Sequence, residues 1–271
     1  MNNLHRHLAP VSGAAWAQIE EEATRTIRRY LAGRRVVDTS EPKGCAFAGV
    51  GTGRSKKIEA PEGGIQAVRR EFLPLVELRV PFTLSREEID AVERGSDDSD
   101  WQPVKDAAKK IAFAEDRAIF EGYASAGIPG IRAATSNARL ALPSSVKDYP
   151  RVIADALNTL RLVGVNGPYA LVLGAQEFRA IDSGDDAWYP VRKHIEGMIN
   201  GKIVEAPALS GAFVVSLRGG DLALDIGQDF SIGYLSHTTE QVELYLQESF
   251  VFRVLTSEAT VAIDPCGNAA A

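Results

Sequence analysis

Between residues 48 and 81 the chain changes character in a way that restricts what the remainder can build. Ala48-Gly49-Val50-Gly51-Thr52-Gly53-Arg54-Ser55-Lys56-Lys57 is followed by Pro61-Glu62-Gly63-Gly64 and then by the largely alternating run Leu75-Val76-Glu77-Leu78-Arg79-Val80. Two extended segments joined by a Gly/Pro turn have this pattern, which predicts a long arm with little apolar surface to bury against itself. A long irregular excursion inside a folded chain is usually functional, and a neighbouring subunit is the natural place for this one to rest. Gly49, Gly51 and Gly53 are not a dinucleotide fingerprint. That motif needs a preceding strand, a third glycine at another offset and a following helix.

The other residues read as an ordinary folded chain. Of 271 residues, 45% are hydrophobic and 24% charged, as in globular proteins of one large domain or two interlocked ones. The net charge of -6 opposes nucleic-acid binding. Apolar runs such as Tyr169-Ala170-Leu171-Val172-Leu173 are strand-sized, far short of the roughly 18 residues of a membrane span. Cys45 and Cys266 are too few for a disulfide scaffold, and the polar N-terminus has no secretion-signal pattern. The expected setting is a reducing cytoplasm.

Steps of three and four between Trp16, Ile19, Ala23, Ile27, Tyr30 and Leu31 predict an amphipathic helix over 14–32, with Ser12 capping its start and Gly33 its end. Pro103 opens a second helical pattern reaching to about residue 126, with Val104, Ala108, Ile111, Ala112, Ile119 and Tyr123 near one face. Helices are expected over 151–163 and 189–200. Strands are expected over 169–173, 202–205, 213–217, 222–226, 242–246 and 250–255, with Gly219-Gly220-Asp221 as a hairpin turn. The fold class is mixed α+β.

Catalytic signals are absent. There is no Gly-x-Ser-x-Gly elbow, no His-Glu-x-x-His pair and no Cys/His nucleophile arrangement. His5, His7, His194 and His237 lack partners at ligand spacing, so no metal site is expected. The carboxylates of Glu20 to Glu22, Glu87-Glu88 and Asp185-Asp186 read as solvated faces.

Several separate stretches together resemble the encapsulins, bacterial nanocompartment shell proteins that an older label groups as linocin-type bacteriocins. They are Leu4-x-Arg6 with Ala9-Pro10, Gly33-Arg34-x-x-Val37-Asp38, Leu73-Pro74-Leu75-x-Glu77-Leu78-Arg79, Phe82-Thr83-Leu84, Phe113-Ala114-Glu115-Asp116, Gly167-Pro168-Tyr169, Gly201-Lys202-Ile203, Arg218-Gly219-Gly220-Asp221 and Gly227-Gln228-Asp229-Phe230-Ser231-Ile232-Gly233-Tyr234. They occur in order over nearly the whole chain.

The resemblance implies the fold of tailed-phage major capsid proteins, with a peripheral domain, an axial domain and an extended loop. It divides the chain into 1–47, the N-terminal helix and start of the peripheral domain; 48–81, the extended loop; 82–147, the peripheral domain with its spine helix; 148–205, the axial domain; 206–264, a return to peripheral strands; and 265–271, a disordered tail. It implies a non-enzymatic shell protein whose partners are copies of itself, in the smallest icosahedral shell, and a cargo enzyme. The cargo, a dye-decolourising peroxidase or a ferritin-like protein, would carry a short C-terminal targeting peptide. On this resemblance Ile27, Tyr30, Leu31, Arg34, Val36, Asp38, Ile232 and Tyr234 would surround an apolar trough for that peptide, with Arg34 meeting its polar backbone or terminal charge. Asp185 and Asp186, on a loop that related shells gather around a fivefold axis, would line a pore. Some relatives bind a flavin on an aromatic residue just after the stretch matching Phe82-Thr83-Leu84. Here Ser85-Arg86-Glu87-Glu88 offers no ring, so no cofactor is carried over. The competing reading, from the older label, is a secreted lytic bacteriocin or protease.

Overall fold

The computed structural model describes residues 3–183, 185–186 and 189–266, and between 184 and 190 its account is of the backbone alone. Seven α-helices are described: α1 (Gly13–Tyr30), α2 (Arg86–Glu93), α3 (Gln102–Phe120), α4 (Gly130–Ala134), α5 (Tyr149–Leu162), α6 (Ala175–Ser183) and α7 (Val191–Ile199). The strands are β1 (Asp38–Thr39), β2 (Gly49–Ile58), β3 (Ala67–Pro74), β4 (Val76–Ser85), β5 (Leu140–Ala141), β6 (Tyr169–Leu173), β7 (Asp185–Asp186), β8 (Tyr189–Pro190), β9 (Lys202–Glu205), β10 (Ala212–Ser216), β11 (Leu222–Ile226), β12 (Ser231–His237), β13 (Gln241–Val254) and β14 (Thr260–Asp264).

Strand β13 organises the first sheet. Along one edge it pairs with β4 from Gln241↔Ser85 to Phe250↔Val76. Along the other edge lie β12, from His237↔Val242 to Ser231↔Gln247, and β11, from Ile226↔Phe250 to Leu222↔Val254. Strands β11 and β12 are thus one run of chain along a single edge, interrupted where residues 227–230 oppose Glu248 and Ser249. An excess of residues on one strand bends it and redirects its side chains. The excursion is pinned by Gly227 N–H to the Ser249 carbonyl and Ser249 N–H to the Gln228 carbonyl, both 2.8 Å. Helices α1, α2 and α3 cover β4, β12 and β13 over a core that includes Ile19, Ile27, Leu84, Ile111 and Leu244.

A second sheet, in the order β5-β14-β10-β6-β9, packs against α5, α6 and α7 through Ile153, Leu157, Ile181, Ile195 and Val261. Every residue of β6 is buried, as its unbroken apolar run requires. The remaining paired elements are the β2–β3 ribbon and the short β7–β8 ladder. The ribbon lies apart from both cores. Its Ile58, Val68 and Phe72 are about half exposed or more (48%, 57% and 60%).

The structure departs from the sequence reading at several points. The arm ends at Pro74, because Leu75 to Val80 leads into β4, whose ten-residue ladder with β13 belongs to the peripheral sheet. Gly33 is not a left-handed helix cap. It opens the 3-10 turn Gly33–Arg35, and it must lack a side chain because a Cβ there would lie 2.5 Å from Ile119 Cδ1. Helix α3 stops at Phe120 instead of about 126: Gly122, with φ of 95°, turns the chain, and Tyr123 lies outside the helix. The segments expected over 242–246 and 250–255 are one strand, with the polar Gln247, Glu248 and Ser249 buried at its middle. Gly219-Gly220 does turn the chain, with φ of 82° and 79°, but it joins β10 to β11, which lie in different sheets, so it closes no hairpin. Strands β10 and β14 pair with β6 and β5 in the axial sheet, not with peripheral strands. The helix expected from 189 starts at Val191, after Tyr189–Pro190 pairs with Asp185–Asp186. Residues 267–271 of the expected tail lie outside the described residues.

Because the ribbon buries so little on its own subunit, deleting residues 53–64 should leave the far-ultraviolet circular dichroism and the cores intact while preventing particle formation. Size-exclusion chromatography and negative-stain microscopy check this, and full-sized particles from the deleted chain would contradict it.

Candidate functional site: a groove at the end of the first helix

Helix α1 begins where the Ser12 hydroxyl accepts the Ala15 N–H at 3.2 Å. It buries Ala15, Ile19, Ala23 and Ile27 on α3 and the sheet. Its exit is fixed by Asp116 of α3, whose carboxylate accepts the N–H groups of Ala32 (3.0 Å) and Gly33 (2.8 Å). Burial pushes the Asp116 carboxyl up to about 7; those two backbone bonds oppose the shift and the neighbouring Glu115 adds to it.

The next residue, Arg34, points into the protein. Its Nε and Nη2 donate to the Glu115 carboxylate at 2.9 and 2.6 Å, and its Nη1 donates to Asp229 at 2.8 Å. Nη2 also lies 3.4 Å from Glu248 Oε2, and the guanidinium carbon sits 4.5 Å from the centre of the Phe230 ring. Glu115 and Glu248 are fully buried. Burial first, and the adjacent Glu115 second, push Glu248 well above the usual carboxylate range. Burial alone would lower the Arg34 pKa, and the Glu115, Asp229 and Glu248 carboxylates around the guanidinium raise it. One side-chain cluster therefore joins the α1 exit, α3, β13 and the 227–230 excursion.

Above this cluster lies an open groove of about 420 Å³, lined by Thr24, Ile27 and Arg28 of α1, Leu31, Arg34 and Arg35 of its exit, and Asp229 and Phe230 of the excursion. Its walls are apolar at Ile27, Leu31 and Phe230. Its floor is the Arg34 cluster, in which one guanidinium faces three carboxylates. Its rim carries Arg28 and Arg35, both exposed.

Of the residues expected around a trough, the structure brings Ile27, Leu31 and Arg34 together here. It does not bring the other five. Tyr30 faces the opposite side of α1, where its ring meets Phe113 edge-on at 5.5 Å. Val36 is buried in the core between the two sheets and, with Asp38, lines a separate hollow of about 230 Å³. Asp38 caps Gly220 N–H at 2.6 Å. Ile232 is buried beneath α1, and the Tyr234 hydroxyl is 2.6 Å from His237 Nδ1. Arg34, expected to meet a ligand's charge, lines the groove with its donors directed to three carboxylates. Asp185 and Asp186 pair through their backbones with Pro190 and Tyr189 on the short β7–β8 ladder, and their side chains lie outside what is described.

Sequence reasoning missed Glu115, Asp116, Asp229, Phe230 and Glu248 as builders of this site. The signal was available for Glu115, which falls on the buried stripe of α3 with Ala108, Ile111, Ala112 and Ile119. A carboxylate on such a stripe demands a buried cation. Among the described residues no group of three or more His, Cys, Asp or Glu side chains is placed to hold a metal ion.

This fold is that of tailed-phage major capsid proteins. A solved virus-like particle from Pyrococcus furiosus matches 90% of this chain and 97% of its own, with a TM-score of 0.65 and 15% identity. A solved structure of Mycobacterium phage Bobi matches 88% of this chain and 91% of its own, with a TM-score of 0.60 and 14% identity. Within that class the chain belongs to the encapsulin family: residues 1–251 match the family described as encapsulating protein for peroxidase. The type 1 encapsulin shell protein of Rhodococcus erythropolis is 57% identical over 97% of this chain and 100% of its own length. The family is one of shell proteins and not of enzymes.

The Asp116 carboxyl gives the site a pH dependence whose sign follows from its shift. Its folded-state value of about 7 lies above the ordinary 3.8, so the folded chain takes up a proton between those values. Its contribution to stability is fully present below about 3.8 and is lost as pH rises through 7. The stability advantage of the native protein over Asp116→Asn should therefore shrink between pH 5 and pH 8. Thermal unfolding of both proteins at one scan rate, followed by tryptophan fluorescence, checks this; an advantage that grows with pH would contradict it.

Proposed function

We propose that copies of this chain assemble into a closed icosahedral shell in the cytoplasm, and that the groove at the α1 exit receives the C-terminal tail of a cargo enzyme on the inner wall. A peroxidase is the favoured cargo, in keeping with the family's description. Assembly accounts for the β2–β3 ribbon, whose Val68 and Phe72 need a surface that this subunit does not supply.

The observation that carries the cargo reading is the groove itself. It has two aliphatic walls and a phenyl wall above a floor tied together by the Arg34 ion pairs. A short tail with small residues between leucines or isoleucines would lay its side chains against Ile27, Leu31 and Phe230. Burying two aliphatic side chains contributes about 3–6 kcal/mol before ordering costs, a weak affinity for one site. Many copies on one wall would still retain an oligomeric cargo through avidity.

Two substitutions test the site. Leu31→Asp removes an apolar wall at a residue already only 9% exposed and sets an unpaired carboxylate against the tail. Thr24→Trp, at an exposed position, fills the groove without touching the core. Both should abolish co-purification of cargo while shells still form. Gel densitometry reads this, and Thr24→Trp shells carrying cargo at native stoichiometry would exclude the groove.

The shell also needs a route for cargo substrates. We assign it to the Asp185–Asp186 segment, where five copies around an axis would make a carboxylate ring favouring small cations. Replacing both aspartates with lysine should slow entry of a cationic probe into intact shells in stopped-flow measurements. Equal uptake of cationic and anionic probes before and after the change would remove the pore role.

A further inference from the structure

The groove contains an asymmetry of charge that its apolar walls do not require. Three arginines line it, and the inner one, Arg34, is paired with Glu115, Asp229 and Glu248. The two at the rim are not. Arg35 uses one nitrogen, Nη2, to bond the Arg28 carbonyl at 3.0 Å, and neither guanidinium makes an ion pair among the described residues. The arginines on the other side of the same helix behave differently: Arg25 pairs with Glu22, and Arg29 lies 3.4 Å from Glu205. The helix dipole favours cations in the last turn and accounts for a basic residue at 28, but Arg35 lies beyond the helix. The Arg35 guanidinium bonds the Arg28 backbone carbonyl, and both residues line the same apolar groove.

Resting on the reading of the groove as the cargo-tail site, we propose that Arg28 and Arg35 form a carboxylate-recognition site for the terminal carboxylate of the tail, so that the shell reads where the cargo chain ends. A groove of about 420 Å³ holds a few side chains and not a folded element. A chain that stops there brings one carboxylate beside its last apolar side chain. Arginine accepts that group through two parallel charge-assisted bonds, which a chain passing through cannot offer from its backbone. The floor cannot compete for it, because Asp229 and Glu115 repel an anion.

The test uses the full shell co-expressed with a monomeric fluorescent protein, so that avidity does not mask the effect. Three tails are compared: an octapeptide of glycine, serine and leucine ending in leucine; the same octapeptide extended by Gly-Ser-Gly-Ser; and the octapeptide extended by Asp-Gly-Ser-Gly, which restores a carboxylate next to the final leucine. The expected result is about three- to tenfold less fluorescent protein per shell for the Gly-Ser-Gly-Ser tail, the range for one partly exposed charge-assisted contact, with the Asp-Gly-Ser-Gly tail recovering much of the loss. In Arg28→Gln/Arg35→Gln shells all three tails should load alike, at the level of the Gly-Ser-Gly-Ser tail. Equal loading of the three tails in native shells overturns the carboxylate site and leaves the groove reading intact. A loss that aspartate does not recover also overturns it, since length alone would then explain the difference. If no tail loads at all, the groove reading fails first.

Discussion

Arg34 and the carboxylates around it hold together parts of the chain that sequence separates by up to about two hundred residues: the exit of α1, the middle of α3, the centre of β13 and the 227–230 excursion. The cost of burying Glu115 and Glu248 is large, and it is met only because one guanidinium reaches both while also bonding Asp229. Removing the cation alone would leave uncompensated charge in a core, a loss of about 3–5 kcal/mol. The groove inherits its shape from this arrangement. Ile27 and Leu31 are placed by the α1 exit, which Asp116 grips through Ala32 and Gly33, and Phe230 is placed by the excursion that Arg34 ties down.

The same cluster separates two electrostatic tasks on neighbouring arginines. Arg34 pairs with three carboxylates, while Arg28 and Arg35, at the rim, make no ion pair among the described residues. On the proposed reading, apolar walls beside a positive edge would suit a short apolar tail that ends in a carboxylate.

The β2–β3 ribbon is a different kind of incompleteness. Lys56 lies directly opposite Arg69 in its register, a like-charge pair that an isolated hairpin would disfavour, and its apolar side chains stand in solvent. An element with so little burial on its own subunit fits the proposed assembly, in which contacts between copies would supply part of the folding free energy. The packed cores need no such help.

Local signals decided a good deal. The apolar run of Tyr169–Leu173 gave a buried strand at its observed bounds, the Ser12 cap placed the start of α1, and Pro103 marked the opening of α3, because each depends on residues adjacent in the chain. The arm was legible for the same reason, since glycine-rich extended sequence cannot bury itself. The centre of β13 was not. Gln247-Glu248-Ser249 looks like a break between two strands until Arg34 and Gln228 arrive from elsewhere to bond Glu248 Oε2 and Gln247 Nε2. Nor was the composition of the trough, because whether Tyr30, Val36 or Asp38 faces it depends on how the α1 exit turns on α3, and that turn is set by Asp116, more than eighty residues away. The sequence by itself determined several of the elements, the presence of a long exposed arm and the family. Only the tertiary structure decided which arginine pairs with buried carboxylates and which two make no ion pair among the described residues, because the pairing of buried charges is a property of space and not of spacing.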